Sequence, residues 1–227
     1  MTKIAIFGGT FDPFHIGHLE LLENVYEEIK PDRMIAIPAG RSYMKEVNGG
    51  HVTNAEDRVA MVRAGIAELS FDCELSRYEV DKEGLTYSID TVMYLKSAYA
   101  AENQGDVSAD NTVETELQGK SAGAGAEPEI WFLCGSDILF TIDKWYESEK
   151  LLENIVLTVI PRGEDDPQKI LARKRELEER SGARIFISGF HGKTISSSMI
   201  REDIARYADL IPKGTLEYIK EHHLYGA

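Results

Sequence analysis

The sequence predicts an α/β protein built on a doubly wound parallel sheet, and three observations lead there. Short β-branched or aromatic runs alternate along the chain with amphipathic helical stretches, the order expected of parallel strands joined by right-handed crossovers. Two later runs, Ile130 to Cys134 and Ile155 to Ile160, are almost unbroken in apolar character, as a strand covered on both faces requires. The first strand-like run passes through two glycines straight into a helical pattern. That is the sequence form of a strand-turn-helix unit whose crevice lies above the carboxyl ends of the strands.

Each element has its own justification. Ile4 to Phe7 is the first expected strand, and Gly17 to Ile29 the first helix. In that helix Leu19, Leu22, Val25, Tyr26 and Ile29 make one apolar face. Lys30-Pro31-Asp32 ends it, because proline cannot continue the hydrogen-bond ladder. Met34 to Ile37 is the second strand. Ala55 to Leu69 is a helix with Val59, Val62, Ile66 and Leu69 along one stripe. Cys73 to Ser76 reads as a short strand, Ser88 to Tyr99 as a helix, and Arg184 to Ile187 as the last strand. Helices near Ser197 to Arg206 and Thr215 to Glu221 close the chain. Residues 1–227 thus read as a single domain with a Rossmann-like sheet and a small helical C-terminal part at about 195–227.

One stretch departs from this alternation. From Ala100 to Glu129 the chain is rich in Gly, Ser, Asn, Asp, Glu and Gln, with Val113 and Leu117 almost the only bulky apolar residues. Such a segment cannot bury enough apolar surface to offset its ordering entropy. The expectation is a mobile insertion ahead of the Ile130 strand, and not a domain boundary.

The bulk composition narrows the function classes. A net charge of −14 disfavours nucleic acid as a partner, because a polyanion needs a basic face. It leaves room for a small phosphate ligand in a local positive pocket. No apolar run approaches the roughly 18 residues of a membrane helix, and no signal peptide precedes the first strand, so no membrane is expected and a cytoplasmic location is. Cys73 and Cys134, far apart and without metal-ligand spacing, read as buried reduced thiols. His222 and His223 read as an exposed helix end, and no protein metal site is expected.

The turn after the first strand, Gly8-Gly9-Thr10-Phe11-Asp12-Pro13-Phe14-His15-Ile16-Gly17-His18, carries the chemistry. Glycines let the backbone approach a phosphate, and a helix N-terminus offers free N–H groups and a favourable dipole. The G-x-G-x-x-G dinucleotide fingerprint is absent, since the third position after Gly8 is Phe11 and the next glycine is Gly17. A Walker A loop is absent too: Gly192-Lys193-Thr194 imitates only its end. What remains is a pair of imidazoles, His15 and His18, around Gly17 at the helix start, a donor set suited to a polyphosphate.

The segment Gly8 to His18 resembles the signature of the nucleotidyltransferase superfamily that carries an H-x-G-H motif. Its second signature, I-S-S-[ST]-x-[IL]-R, is matched at Ile195-Ser196-Ser197-Ser198-Met199-Ile200-Arg201. There a serine-rich N-cap supplies hydroxyls and N–H groups, and Arg201, one turn on, supplies a fork for phosphate oxygens. Within the superfamily the chain is most similar to the bacterial nicotinate-nucleotide adenylyltransferase family, over nearly its whole length outside the insertion. Gly84-Leu85-Thr86-Tyr87-Ser88-Ile89-Asp90-Thr91 is similar to that family's segment for the nicotinate carboxylate. Gly135-Ser136-Asp137 is similar to its ribose turn, Lys144-Trp145-Tyr146 to its pyridine-packing element, and Pro161-Arg162 to its R-P-G turn near adenine, with the order of Arg and Pro exchanged. Where the family carries P-P-H-K, this chain has Ser42-Tyr43-Met44-Lys45, which keeps the lysine and loses the frame.

The resemblance implies transfer of AMP from ATP to nicotinate mononucleotide, giving deamido-NAD and pyrophosphate, with Mg²⁺ bound mainly through the ATP phosphates. It implies catalytic roles for His15, His18 and Arg201. Gly8, Gly9, Thr10, Phe11, Gly17, Gly135, Asp137, Arg162, Ile195, Ser196, Ser197 and Ser198 would bind ATP. Lys45, Thr86, Tyr87 and Trp145 would bind the acceptor. The alternatives are a related nucleotidyltransferase acting on nicotinamide mononucleotide or phosphopantetheine, and a non-catalytic nucleotide-binding protein of the same fold. A homo-oligomer is compatible with the sequence.

Overall fold

The computed structural model describes residues 1–40, 52–102 and 127–227. Six parallel strands form one sheet: β1 (Lys3–Gly9), β2 (Arg33–Pro38), β3 (Cys73–Leu75), β4 (Glu129–Gly135), β5 (Ile155–Ile160) and β6 (Arg184–Ile187). Their spatial order is β3-β2-β1-β4-β5-β6, so the chain winds outward from β1 and then returns to start again at β4. The expected doubly wound α/β architecture is the observed one. The topological switch falls between β1 and β4, where such sheets open a crevice.

The register shows why the crevice opens. β1 pairs with β4 only from Lys3↔Glu129 to Phe7↔Leu133. On its other side β1 stays paired to the end, Gly8 with Ile37 and Gly9 with Pro38. Beyond Phe7 and Leu133 the two central strands part, leaving both glycines on the crevice side without a ladder partner from β4.

Nine helices, among the described residues, surround the sheet: α1 (Ile16–Ile29), α2 (Ala55–Ile66), α3 (Tyr78–Asp81), α4 (Ser88–Glu102), α5 (Ser136–Leu139), α6 (Ser148–Asn154), α7 (Pro167–Ser181), α8 (Ser197–Glu202) and α9 (Lys213–Glu221). Strand alternation sorts their packing. Ile4, Ile6, Ile35, Ile37, Ile130 and Phe132 face a core shared with Val92, Leu95, Leu152 and Leu177 from α4, α6 and α7. Ala5, Phe7, Met34, Ala36 and Leu133 face the opposite core, with Leu22, Val25 and Ile29 of α1 and Val62 and Ile66 of α2. A third cluster packs Ile200, Ile204, Ile211 and Ile219 against Met61 of α2. The buried Thr215 hydroxyl donates to the Met61 carbonyl at 2.8 Å, fixing that attachment.

Several boundaries differ from expectation. α2 stops at Ile66 instead of Leu69, because Glu68 and Leu69 bond three residues back, tightening the last turn. α8 stops at Glu202 instead of running to Arg206: Asp203 leaves the helical region, and its carboxylate accepts the Arg206 N–H at 2.9 Å. α6 and α7 are absent from the sequence expectation. α7 is framed by an Asp166 N-cap, Pro167 at its first turn and Gly182 in the left-handed region. Its apolar stripe shrinks to the buried Ile170 and Leu177 amid charge, so a hydrophobic period does not reveal it. Cys73 and Cys134 are free, but only Cys134 is buried; Cys73 sits on the short edge strand β3 and is partly exposed. Of the expected 100–129 insertion, residues 103–126 lie outside the described residues.

Candidate active site

The turn from β1 to α1 is shaped by its aromatic residues. Phe11 takes a φ of 52° and is 2% exposed, its ring edge-on to Phe7 and Phe14 at 5.4 and 5.5 Å. A Cβ on Gly9 would fall 2.7 Å from that ring, so glycine is required there by packing. Gly8 differs: a Cβ there would meet nothing within 4 Å, and the residue is exposed to the crevice. The two glycines divide their work, one admitting an aromatic ring and the other leaving backbone open. The Phe11 side chain, expected in the ATP-binding set, packs in the core.

His15 and His18 stack with ring centroids 3.6 Å apart, 13° from parallel. The His15 N–H donates to His18 Nδ1 at 3.1 Å, which in a neutral ring places the His18 proton on Nε2. His18 also lies among Phe7, Phe11 and Phe14 at 5.0 to 5.8 Å, yet remains partly exposed. His15 is 4% exposed, and its Nδ1 is buried without a hydrogen-bond partner among the described residues. A buried polar atom left unpaired costs free energy that a ligand or water can recover.

Both rings are held neutral. Burial draws His15 down to about 4, partly opposed by a backbone hydrogen bond and aided by the Arg162 charge. Burial, then the charges of His15 and Arg162, holds His18 well below its usual value. They therefore act as hydrogen-bond donors, and formal positive charge must come from arginine and lysine. Stability follows with a definite sign. An unfolded histidine gains a proton near 6.5 and folded His15 only near 4, so the unfolded state binds more protons between those values and stability falls on acidification. Between pH 7.5 and 4, denaturant unfolding of the wild type should lose about 3 kcal/mol more than that of His15→Asn. Parallel curves would contradict the neutral assignment.

The second motif docks onto the first across nearly the whole chain. Ser196 caps α8, accepting the Met199 N–H at 3.2 Å. The Ser197 hydroxyl donates to the Pro13 carbonyl at 2.9 Å. Arg201 donates one Nη to the Asp12 carbonyl and the other to the Ser198 hydroxyl at 3.2 Å. A Cβ on Gly17 would meet the His15 ring at 3.2 Å and Ile195 at 3.6 Å, so the histidine pair and the second motif close over that glycine from two sides. Ser196 and Ser197 spend their hydroxyls on this architecture. Ser198 is exposed, and the Arg201 side chain is 30% exposed.

On the far side of the switch, Arg162 and Asp137 form an ion pair at 3.6 Å, both more than half exposed. A Cβ on Gly135 would lie 2.5 Å from the Asp137 carboxylate and 3.1 Å from the Arg162 guanidinium. Gly135, Asp137 and Arg162 are thus one group. The Arg162 charge also acts on both histidines, lowering their pKa values further.

The expected acceptor residues gather at the start of α4 and after α5. The Tyr87 ring lies 4.4 Å from Tyr146, and the adjacent Trp145 packs edge-on to Phe132 at 6.2 Å. The Thr86 hydroxyl donates to Glu79 at 3.4 Å, and Thr91 donates to the other oxygen of that carboxylate at 2.7 Å. Lys45 lies outside the described residues. Tyr146, the last residue of the Lys144-Trp145-Tyr146 motif, is 56% exposed. Glu79 is a neighbour of these residues that the sequence did not suggest. Glu79 sits in the single-turn α3, with no flanking pattern to mark it. Burial raises its pKa, against hydrogen bonds from Thr91, Gly40 and Thr86 and the nearby Lys82 charge.

Comparison with known proteins bears on what such a crevice does. Residues 6–203 match the model of the cytidylyltransferase-like family. The chain is 30% identical over 228 residues to the Clostridium botulinum protein named probable nicotinate-nucleotide adenylyltransferase, covering 99% of this chain and 98% of that one. It is also 30% identical over 235 residues to the Neisseria meningitidis protein of the same name, covering 99% of each. Its fold is shared with Plasmodium falciparum nicotinic acid mononucleotide adenylyltransferase complexed with NaAD, at a TM-score of 0.68 and 20% identity, over 99% of this chain and 98% of that chain.

Proposed function

Because this chain belongs to the cytidylyltransferase-like family and, within it, to the nicotinate-nucleotide adenylyltransferases, we propose that its crevice joins ATP to nicotinate mononucleotide, forming deamido-NAD and pyrophosphate. An oxygen of the acceptor phosphate attacks the α-phosphorus of ATP. The new P–O bond forms as the bond to the β-phosphate oxygen breaks, and pyrophosphate leaves with that electron pair. A phosphate is already anionic at neutral pH, so no general base is required. The task left to the protein is to align the two phosphates and stabilise charge on the α-phosphate and the departing pyrophosphate.

The observation that carries this reading is the convergence of His15, His18, Ser198 and Arg201, from opposite ends of the sequence, at the switch where β1 parts from β4. His18, the more exposed ring, serves the α-phosphate. His15, Ser198 and Arg201 serve the β- and γ-phosphates, with the burial of His15 giving it the smaller contact. Gly8, Gly9, Thr10 and Phe11 present backbone to the nucleotide, and Gly17 and Ile195 form its floor. Asp137 and Gly135 face the ribose and Arg162 the adenine end. Thr86, Tyr87 and Trp145 receive the nicotinate moiety, and Lys45 the acceptor phosphate.

Mg²⁺ belongs to the proposal as a companion of ATP, where it neutralises polyphosphate charge. The ion would be held mainly by the ATP phosphate oxygens and water. No described helix is long and apolar enough to cross a membrane. The test of the reading is pyrophosphate release from ATP that depends on nicotinate mononucleotide, with the dinucleotide formed in equal amount. Cleavage of ATP without a dinucleotide would reject it.

A further inference from the structure

Beneath the histidine turn lies a buried charged cluster that takes no direct part in the proposed chemistry. Asp12 is 1% exposed and Arg58, on α2, 4%. Arg58 donates Nε to the Thr53 carbonyl at 3.1 Å, and Nη1 to the carbonyls of Thr10 at 3.0 Å and Ala39 at 2.7 Å. One guanidinium therefore fastens the turn to the end of β2 and to the residues that enter α2. The Asp12 carboxylate accepts the Tyr225 hydroxyl at 2.6 Å and the Thr53 N–H at 3.3 Å. It also lies 3.7 Å from Arg201 Nη1, which donates to the Asp12 carbonyl. Tyr225 belongs to the short 3₁₀ turn Leu224–Gly226 that follows α9.

A buried carboxylate must have its acceptor sites filled. Two side-chain donors face it at different oxygens: the Tyr225 hydroxyl is bonded to Oδ1, and the Arg201 guanidinium lies 3.7 Å from Oδ2 while bonded to the neighbouring carbonyl. While the hydroxyl is present, Arg201 keeps its second Nη on Ser198 at the crevice. Without it the carboxylate is one donor short, and Arg201 is the nearest side-chain cation able to fill the gap. We propose that Tyr225 is a positioning residue for ATP: by occupying Asp12 it holds the Arg201 guanidinium toward the β- and γ-phosphates. This rests on the reading of the same turn as the ATP site.

The test separates the two claims through binding, which needs no turnover. Affinities for a non-hydrolysable ATP analogue and for AMP are measured by calorimetry on the full chain, for the wild type, Tyr225→Phe, Arg201→Met and the double variant. Tyr225→Phe should weaken the analogue about tenfold and leave AMP unchanged, since AMP lacks the phosphates that Arg201 holds. In the Arg201→Met background the same substitution should have no further effect on the analogue. Unchanged analogue affinity, equal weakening of analogue and AMP, or an undiminished effect in the Arg201→Met background would each overturn the positioning role. Failure of the wild type to bind the analogue would instead overturn the ATP-site reading beneath it.

Discussion

Replacing His18 by alanine should cost about 3 kcal/mol of transition-state stabilisation, a fall of roughly 10²-fold in kcat, the scale of one donor removed from an oxyanion-type site. The size follows from how the ring is prepared. Its Nδ1 is occupied by the His15 N–H at 3.1 Å, so the neutral ring carries its proton on Nε2 and no tautomer need be selected at the moment of reaction. The surrounding Phe7, Phe11 and Phe14 lower the local polarity, which strengthens any hydrogen bond made there. A donor needed chiefly in the transition state should lower kcat and leave the ATP KM nearly unchanged. Steady-state kinetics on His18→Ala, with circular dichroism to confirm folding, checks this; near-normal kcat in a folded variant would remove His18 from the catalytic assignment.

Gly40→Ala should destabilise the fold by about 3 kcal/mol, at the upper end of overpacking effects. A Cβ on Gly40 would lie 1.7 Å from the Glu79 carbonyl oxygen and 2.5 Å from its carbon. That neighbour is backbone, so no side-chain rotation relieves the clash and α3 itself must move. The damage reaches the acceptor side, because Glu79 holds both Thr86 and Thr91. Denaturant unfolding should show the loss, and the acceptor KM should rise more than the ATP KM. Gly163→Ala is the matched control, since its Cβ would meet nothing within 4 Å. Equal stability of the two variants would show that α3 yields without cost.

These expectations also indicate what the sequence could and could not reveal. The sheet was legible because β4 and β5 are buried on both faces and their runs are correspondingly apolar. The two motifs were legible because glycine, histidine, serine and arginine stand in them at fixed spacing, at the start of a helix pattern. The layer beneath was not. Arg58 lies in a helix whose sequence shows only an ordinary charged position, and its three carbonyl partners carry no side-chain signal. Tyr225 is distant in sequence from Asp12, and only the docking of α9 on α2 brings the two together. Glu79 likewise becomes a site residue only through Thr86 and Thr91. Backbone acceptors and long-range tethers leave no periodic trace, which is why α7 and this supporting layer had to come from the structure.

The acceptor is the point on which the functional claim is most exposed. The most direct measurement is pyrophosphate release with ATP and Mg²⁺ across nicotinate mononucleotide, nicotinamide mononucleotide and phosphopantetheine, compared as kcat/KM under one set of conditions. The proposed function requires the highest value for nicotinate mononucleotide, with deamido-NAD recovered in proportion to pyrophosphate. A higher value for either other acceptor, or no acceptor-dependent release at all, would contradict it.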